Sequence, residues 1–261
     1  MLLASQNKKS EFESLSPSIA GSIAEWQIVT ARLPNGTPAD MEALSQKLMT
    51  LYADKEGMVF SFPDKVVMLQ HILATGDSGS FKADLEQKLP GRGYGFIIRQ
   101  MTESVLKQVE ENFVAHEEVA DSLYRRRAAR AENVVLVIDD DFFYRSLLRK
   151  ECEAVATVHQ SEDGKDAVKI YTEINPDIVF LDIHLPSTPG LAILEQLTNA
   201  DFDAFVIMLS ADTSRHNVLQ AVKKGAAGIM KKPPESGKLL RIFRTCPTFR
   251  KPEEPRDTAK A

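Results

Sequence analysis

Residues 176–190 read PDIVFLDIHLPSTPG. Ile178 to Asp182 form an apolar run that ends on a carboxylate and is followed by a Pro/Ser/Thr/Gly loop. A short apolar run between such breakers predicts a buried parallel strand. Asp182 then stands at the strand's C-terminal end, the edge where open α/β sheets bind ligands. A lone acid there carries little weight, and three further strand ends supply the rest. Residues 134–141 (VVLVIDDD) are an apolar strand ending in acids, and residues 205–210 (FVIMLS) one ending in a hydroxyl. Residues 225–233 (GAAGIMKKP) are a small-residue turn, a short strand and then Lys-Lys-Pro.

Working outward, strands are expected at 133–138, 155–159, 177–182, 205–210 and 226–231. Segments of helical period lie near 142–153, 164–173, 190–198, 214–224 and 235–244. Five βα units of this kind predict an α/β fold, a doubly wound five-stranded parallel sheet with helices on both faces. The strand C-termini then share one edge. Asp139, Asp140 and Asp182 meet there, and like charges at that range repel unless a cation offsets them. Oxygen ligands with room for water suit Mg²⁺. Lys232 adds a fixed positive charge and Ser210 a hydrogen-bond donor. Together they would neutralise the oxygens of a phosphoryl group in transfer, with a carboxylate as nucleophile.

The first half is organised differently. Residues 1–22 are polar and Ser-rich and read as a flexible tail. Residues 23–101 follow the order β-α-β-β-α-β, an α+β ferredoxin-like plan that hosts many functions and implies none. Pro90-Gly-Arg-Gly-Tyr-Gly95 precedes a strand instead of joining a strand to a helix, so it reads as a turn, not a phosphate cradle. His71 has no second metal-type ligand at a suggestive spacing and reads as structural. Trp26 reads as core or interface, and Tyr94 with Phe96 falls short of the aromatic pattern of an RNA-binding sheet. Residues 102–131 contain neither Gly nor Pro and read as one long helix. Val105, Leu106, Val109, Phe113, His116, Ala120 and Leu123 recur every three or four residues, a narrow seam that suggests a two-stranded coiled-coil homodimer. The alternative is a helix packed on its own domain. Arg125, Arg126, Arg127 and Arg130 read as a solvated face. Residues 247–261 read as a second flexible tail.

The chain has 261 residues, 32 basic and 37 acidic, for a net charge of −5. No part is basic enough for a nucleic-acid footprint, and no helix-turn-helix pattern follows the parallel sheet, so direct DNA binding is not expected. Two cysteines, Cys152 and Cys246, make no disulfide framework. No apolar run approaches the ~18 residues of a membrane span, and no signal peptide leads the chain. A cytoplasmic protein is the expectation.

Residues 132–246 resemble the CheY-like receiver domain of two-component response regulators. The resemblance rests on Asp139-Asp140 after the first strand, FLDIHLP around Asp182, LSAD at Ser210, and KKP at Lys232-Pro233, with Gly190 and the Gly225-Ala226 turn. It implies a flavodoxin-like receiver fold with Asp182 as phospho-acceptor. It implies Mg²⁺ bound directly by Asp140 and Asp182, through water by Asp139, and by the backbone carbonyl of His184. Ser210 and Lys232 would contact the phosphoryl oxygens, and a histidine kinase or phosphotransfer protein would be the donor. The side chains of His184 and Asp212 would tune the lifetime of the acyl phosphate. Ile229 departs from the family, which usually has an aromatic signalling residue there. Such a protein is a phospho-accepting signalling module and not an enzyme in the ordinary sense. Two alternatives are an unphosphorylated receiver-like docking scaffold and a haloacid-dehalogenase-type phosphatase. In the phosphatase, Asp139 would be the nucleophile and Asp141 the acid, but Phe143 and the missing acidic pair after the lysine depart from that pattern.

Overall fold

The computed structural model describes the chain except for residues 4–7, 34–35, 73–77, 90–93, 116–122, 212–213, 235 and 251–261. The first half contains β1 (Leu2–Leu3), α1 (Lys8–Gly21), β2 (Trp26–Arg32), α2 (Pro38–Leu51), β3 (Gly57–Ser61), β4 (Val66–His71), α3 (Ser78–Lys88) and β5 (Gly95–Gln100). Local signals set these elements. Thr37 caps α2 by accepting from Asp40 N at 3.2 Å, while the Asp40 carboxylate accepts from Thr37 N at 3.0 Å, and Pro38 begins the helix. Pro63-Asp64 turns β3 into β4, and Phe62 N donates to Lys65 O at 2.8 Å.

The sheet order is β1-β3-β4-β2-β5. Apart from the short parallel β1–β3 pair, its pairings are antiparallel. β2 to β5 thus have the ferredoxin-like order that the β-α-β-β-α-β pattern predicts. One face packs Val29, Val59, Met68 and Ile98 under Met41, Leu44 and Leu48 of α2 and Leu85 of α3. The other packs Ile28, Phe60, Val67 and Leu69 against Phe12 and Ile19 of α1. Both faces being covered explains why every residue of β2 is buried. It also corrects the expected tail: residues 8–21 are a helix, because Phe12, Leu15 and Ile19 at helical spacing cover an otherwise bare sheet face.

The expected helix over 102–131 is described as α4 (Glu103–Ala115) and α5 (Leu123–Ala129). The seam expectation is corrected where it can be read. Val105 and Val109 are buried against the same sheet face as α1, so they are spent inside the chain and not on a second copy. His116 and Ala120 lie outside the described residues, as do Pro90 to Gly93 of the Gly-rich stretch and Asp212. The solvated arginine face is corrected in part. Arg125 and Arg126 are exposed. Arg127 is buried, donating to Asp201 at 2.6 Å, Asn175 Oδ1 at 2.9 Å and the Tyr171 hydroxyl at 3.0 Å. Arg130 pairs with Asp177 at 2.6 Å.

The second half contains β6 (Val134–Ile138), α6 (Phe142–Cys152), β7 (Thr157–Ser161), α7 (Ala167–Ile174), β8 (Ile178–Asp182), α8 (Gly190–Ala200), β9 (Val206–Ser210), α9 (Arg215–Lys223), β10 (Gly228–Lys231) and α10 (Ser236–Thr245). The sheet is wholly parallel, in the order β7-β6-β8-β9-β10. All residues of β6, β8 and β9 are buried, as apolar runs covered on both faces require. Tyr144, Leu148 and Cys152 of α6 and Leu239 and Phe243 of α10 cover one face. Tyr171 of α7 and Ile193, Leu194 and Leu197 of α8 cover the other. β7 begins two residues later than expected, because Val155 N folds back onto Cys152 O at 3.0 Å and the apolar Val155-Ala156 pair packs as a turn. The C-terminal tail expectation is corrected for residues 247–250. Phe249 stacks on Phe243 with ring centroids 4.7 Å apart, and Asn133 and Arg250 exchange hydrogen bonds at 2.7 and 2.8 Å.

The two halves share packing. Val218 and Val222 of α9 join the core formed by α2, α3 and their sheet. Arg99 of β5 bridges to Lys224 and donates to Thr198 O at 3.3 Å. Its stem crosses Gly225, whose φ of +96° and a Cβ only 2.8 Å from Arg99 Cγ would both oppose a side chain.

Candidate phospho-acceptor site

Each acid is delivered by the strand it ends. Asp139 follows β6 directly, and its N–H donates to Ser161 O of β7 at 3.1 Å. Asp182 is the last residue of β8 and stands in register with Leu209 of β9. Ligand oxygens of Asp139, Asp140 and Asp182 lie within 4.8 Å of one another. Asp139 and Asp182 are buried and Asp140 is exposed. This is the sole grouping of His, Cys, Asp and Glu able to hold a metal among the described residues. His71 is held instead by Glu25, 3.0 Å from its Nε2, and meets Trp26 edge-on at 5.3 Å, as a structural histidine.

Lys232 brings the opposing charge. Its Nζ lies 2.6 Å from Asp139 Oδ2 and 3.2 Å from Asp182 Oδ2. Lys232 N donates to Ser210 O at 2.9 Å, so the lysine is aligned with the end of β9. Lys231 is exposed and points elsewhere, so of the doubled lysines the second reaches the acids. Ser210 is buried at that same strand end, paired in register with Lys231. The side chain of His184 is exposed, and Ile229 is half-buried on the β10 side that faces α3. Gly190 opens α8 against β8: a Cβ there would lie 1.9 Å from Asp182 O. Only glycine allows that approach.

The electrostatics are unbalanced. Burial pushes the Asp139 carboxyl above its ordinary pKa; Lys232 works against that shift and Asp182 adds to it. Lys232 contacts Asp139 and Asp182, and one ammonium cannot balance three carboxylates, so negative charge remains to be offset. An all-oxygen donor set with that deficit fits a hard divalent cation such as Mg²⁺.

The capping role of Asp141, and the neighbours Tyr144 and Arg145, escaped the sequence reading. Asp141 is the N-cap of α6, accepting from Phe143 N at 2.9 Å and Tyr144 N at 3.1 Å. That capped start turns Tyr144 and Arg145 back toward the acids. The Lys232 ammonium sits 4.7 Å from the Tyr144 ring centroid, and Arg145 Nη1 donates to Asp139 O at 2.5 Å. The Asp-x-x at a strand-to-helix junction was the available signal for the cap.

Comparison with known proteins agrees with this geometry. The family described as the response regulator receiver domain matches residues 135–244. The chemotaxis protein CheY of Listeria monocytogenes is 39% identical over 111 residues, 41% of this chain and 91% of CheY. CheY of Halobacterium salinarum is 35% identical over 100 residues, 38% of this chain and 83% of that protein. Among solved structures, CheY4 of Vibrio cholerae is 22% identical with a TM-score of 0.42, covering 44% of this chain and 99% of that one. Through residues 135–244 the chain belongs to the response regulator receiver-domain family.

Proposed function

We propose that Asp182 accepts a phosphoryl group from the phosphohistidine of a histidine kinase or phosphotransfer protein, and that the chain signals through protein–protein contacts. The observation that carries this reading is Lys232 lying between Asp139 and Asp182 at 2.6 and 3.2 Å. A carboxylate oxygen of Asp182 forms the new O–P bond as the donor's N–P bond breaks, and the electron pair stays on the imidazole nitrogen. Lys232 meets the charge on the transferred oxygens, and the Ser210 hydroxyl donates to one of them. Asp139, Asp140, Asp182 and the carbonyl of His184 would hold Mg²⁺, which when bound supplies the remaining positive charge. The phosphatase reading is disfavoured because the Asp141 carboxylate is committed to the first turn of α6.

The adjoining first half gives the signal a place to go. α9 follows the hydroxyl-bearing end of β9, and its Val218 and Val222 sit in the first domain's core. The charge gained at Asp182 would shift β10 and α9 and so loosen or tighten that packing. The test is incubation with Mg²⁺ and acetyl phosphate. Intact mass should show one phosphoryl group per chain that is absent from Asp182→Asn, and equal labelling of the Asn variant would end the assignment. A wild-type chain that never labels would favour the docking scaffold.

A further inference from the structure

A cleft of about 490 Å³ lies between the two halves, walled by α3 on one side and by α9, β10 and the start of α10 on the other. Its walls are of two kinds. Ala83, Val218, Val222, Ala227 and Ile229 make an apolar lining, while Lys82, Lys231 and Lys238 bring positive charge against one acid, Glu86. Lys82 is the notable cation. Its ammonium donates to the carbonyl oxygen of Ala227, across the domain boundary. Its acidic neighbour in the cleft is Glu86, whose charge acts on it. Burial lowers its pKa, and Glu86 offsets only part of that shift. Lys231, next in sequence to the lysine of the acceptor site, is exposed on the cleft's rim.

We propose that this cleft binds a small organic anion, a molecule with an apolar body and one carboxylate, sulfonate or phosphate group. The volume falls in the range of roughly 300–1,000 Å³ typical of small-molecule sites, too large for a free inorganic ion alone. The apolar walls take the body, and Lys82 with Lys231 takes the charge. Because α3 belongs to one domain and α9–β10 to the other, the ligand touches both. The site is separate from the acidic edge and is complete in the unphosphorylated chain.

The probe is 8-anilinonaphthalene-1-sulfonate, followed by its fluorescence in the folded full-length chain, with the uncharged N-phenyl-1-naphthylamine as partner. Folding is checked by near-UV circular dichroism. One anionic probe should bind per chain. Lys82→Met with Lys231→Met keeps the stems and removes the charge, and should weaken the anionic probe about tenfold, the scale of a lost charge-assisted contact, while leaving the neutral one unchanged. Ala83→Trp, at an exposed helix position, should fill the cleft and displace both. Asp182→Asn should bind both as the wild type does. No binding to the wild-type chain, or binding unchanged by both the lysine pair and Ala83→Trp, would overturn the proposal.

Discussion

Asp139 concentrates the cost of this site in one carboxyl. It is fully buried, shares Lys232 with Asp182, and is pushed above the ordinary carboxylate pKa chiefly by burial. The sign of its linkage follows. The unfolded chain releases this proton near pH 4, while the fold retains it to higher pH, so metal-free stability falls as pH rises through that window. Above it the full penalty remains. Asp139→Asn should therefore raise the melting temperature of the metal-free chain at pH 7. Mg²⁺ should raise the melting temperature of the wild type, and Asp139→Asn should abolish that rise. Scanning calorimetry with and without Mg²⁺ measures both, and a lower melting temperature for the metal-free variant would contradict the account.

At the scale of elements, the start of α6 decides which side chains reach the acids. Asp141 takes up two of the orphan N–H groups of that helix, and Tyr144 and Arg145 follow on its first turn. Asp141→Ala should cost about 1 kcal/mol in urea unfolding, the usual loss for an N-cap. Mg²⁺ affinity and labelling of Asp182 should survive it, because Asp141 is a cap and not a ligand. A loss of labelling at full occupancy of the fold would instead revive an acid role for this residue. α4 teaches a related lesson. Its apolar seam looks like that of a coiled coil, yet Val105 and Val109 are buried on the first sheet's second face. Periodicity marks an apolar stripe but says nothing of what covers it.

At the scale of the molecule, the halves are tied by buried charge. Arg32 of β2 pairs with Asp64 at 2.6 Å and with Asp203, before β9, at 2.7 Å; Lys65 lies 3.7 Å from Asp203. Tyr124 of α5 lies on the Arg32 guanidinium at 3.6 Å. Burial acts to raise the Asp203 pKa, but Arg32 and Lys65 outweigh it and hold the carboxyl well below the usual range. A depressed carboxylate contributes stability above about pH 4 that is lost as pH falls further, so this junction should weaken only in acid. Arg32→Met leaves Asp203 buried with a poorer partner, and should cost about 3 kcal/mol in chemical unfolding. Adding Asp203→Leu should recover part of the loss. A single variant as stable as the wild type would show that the junction rests on Val218 and Val222 packing alone.

Much of the second half was legible because its pattern is local. Apolar runs at β6, β8 and β9, followed or ended by Asp139, Asp182 and Ser210, with Lys232 just after β10, specify a parallel sheet and its polar edge together. The β-α-β-β-α-β order of the first half was legible for the same reason. What the chain alone left open depends on partners distant in sequence. Residues 8–21 are a helix because a sheet face needs cover; Arg127 is buried because Tyr171, Asn175 and Asp201 surround it. Strand pattern and strand-end chemistry were thus determined by the amino-acid sequence. Which stripe covers which face, and which cation meets which acid, was decided by tertiary packing, since apolar area is non-directional and takes whatever surface the fold brings to it.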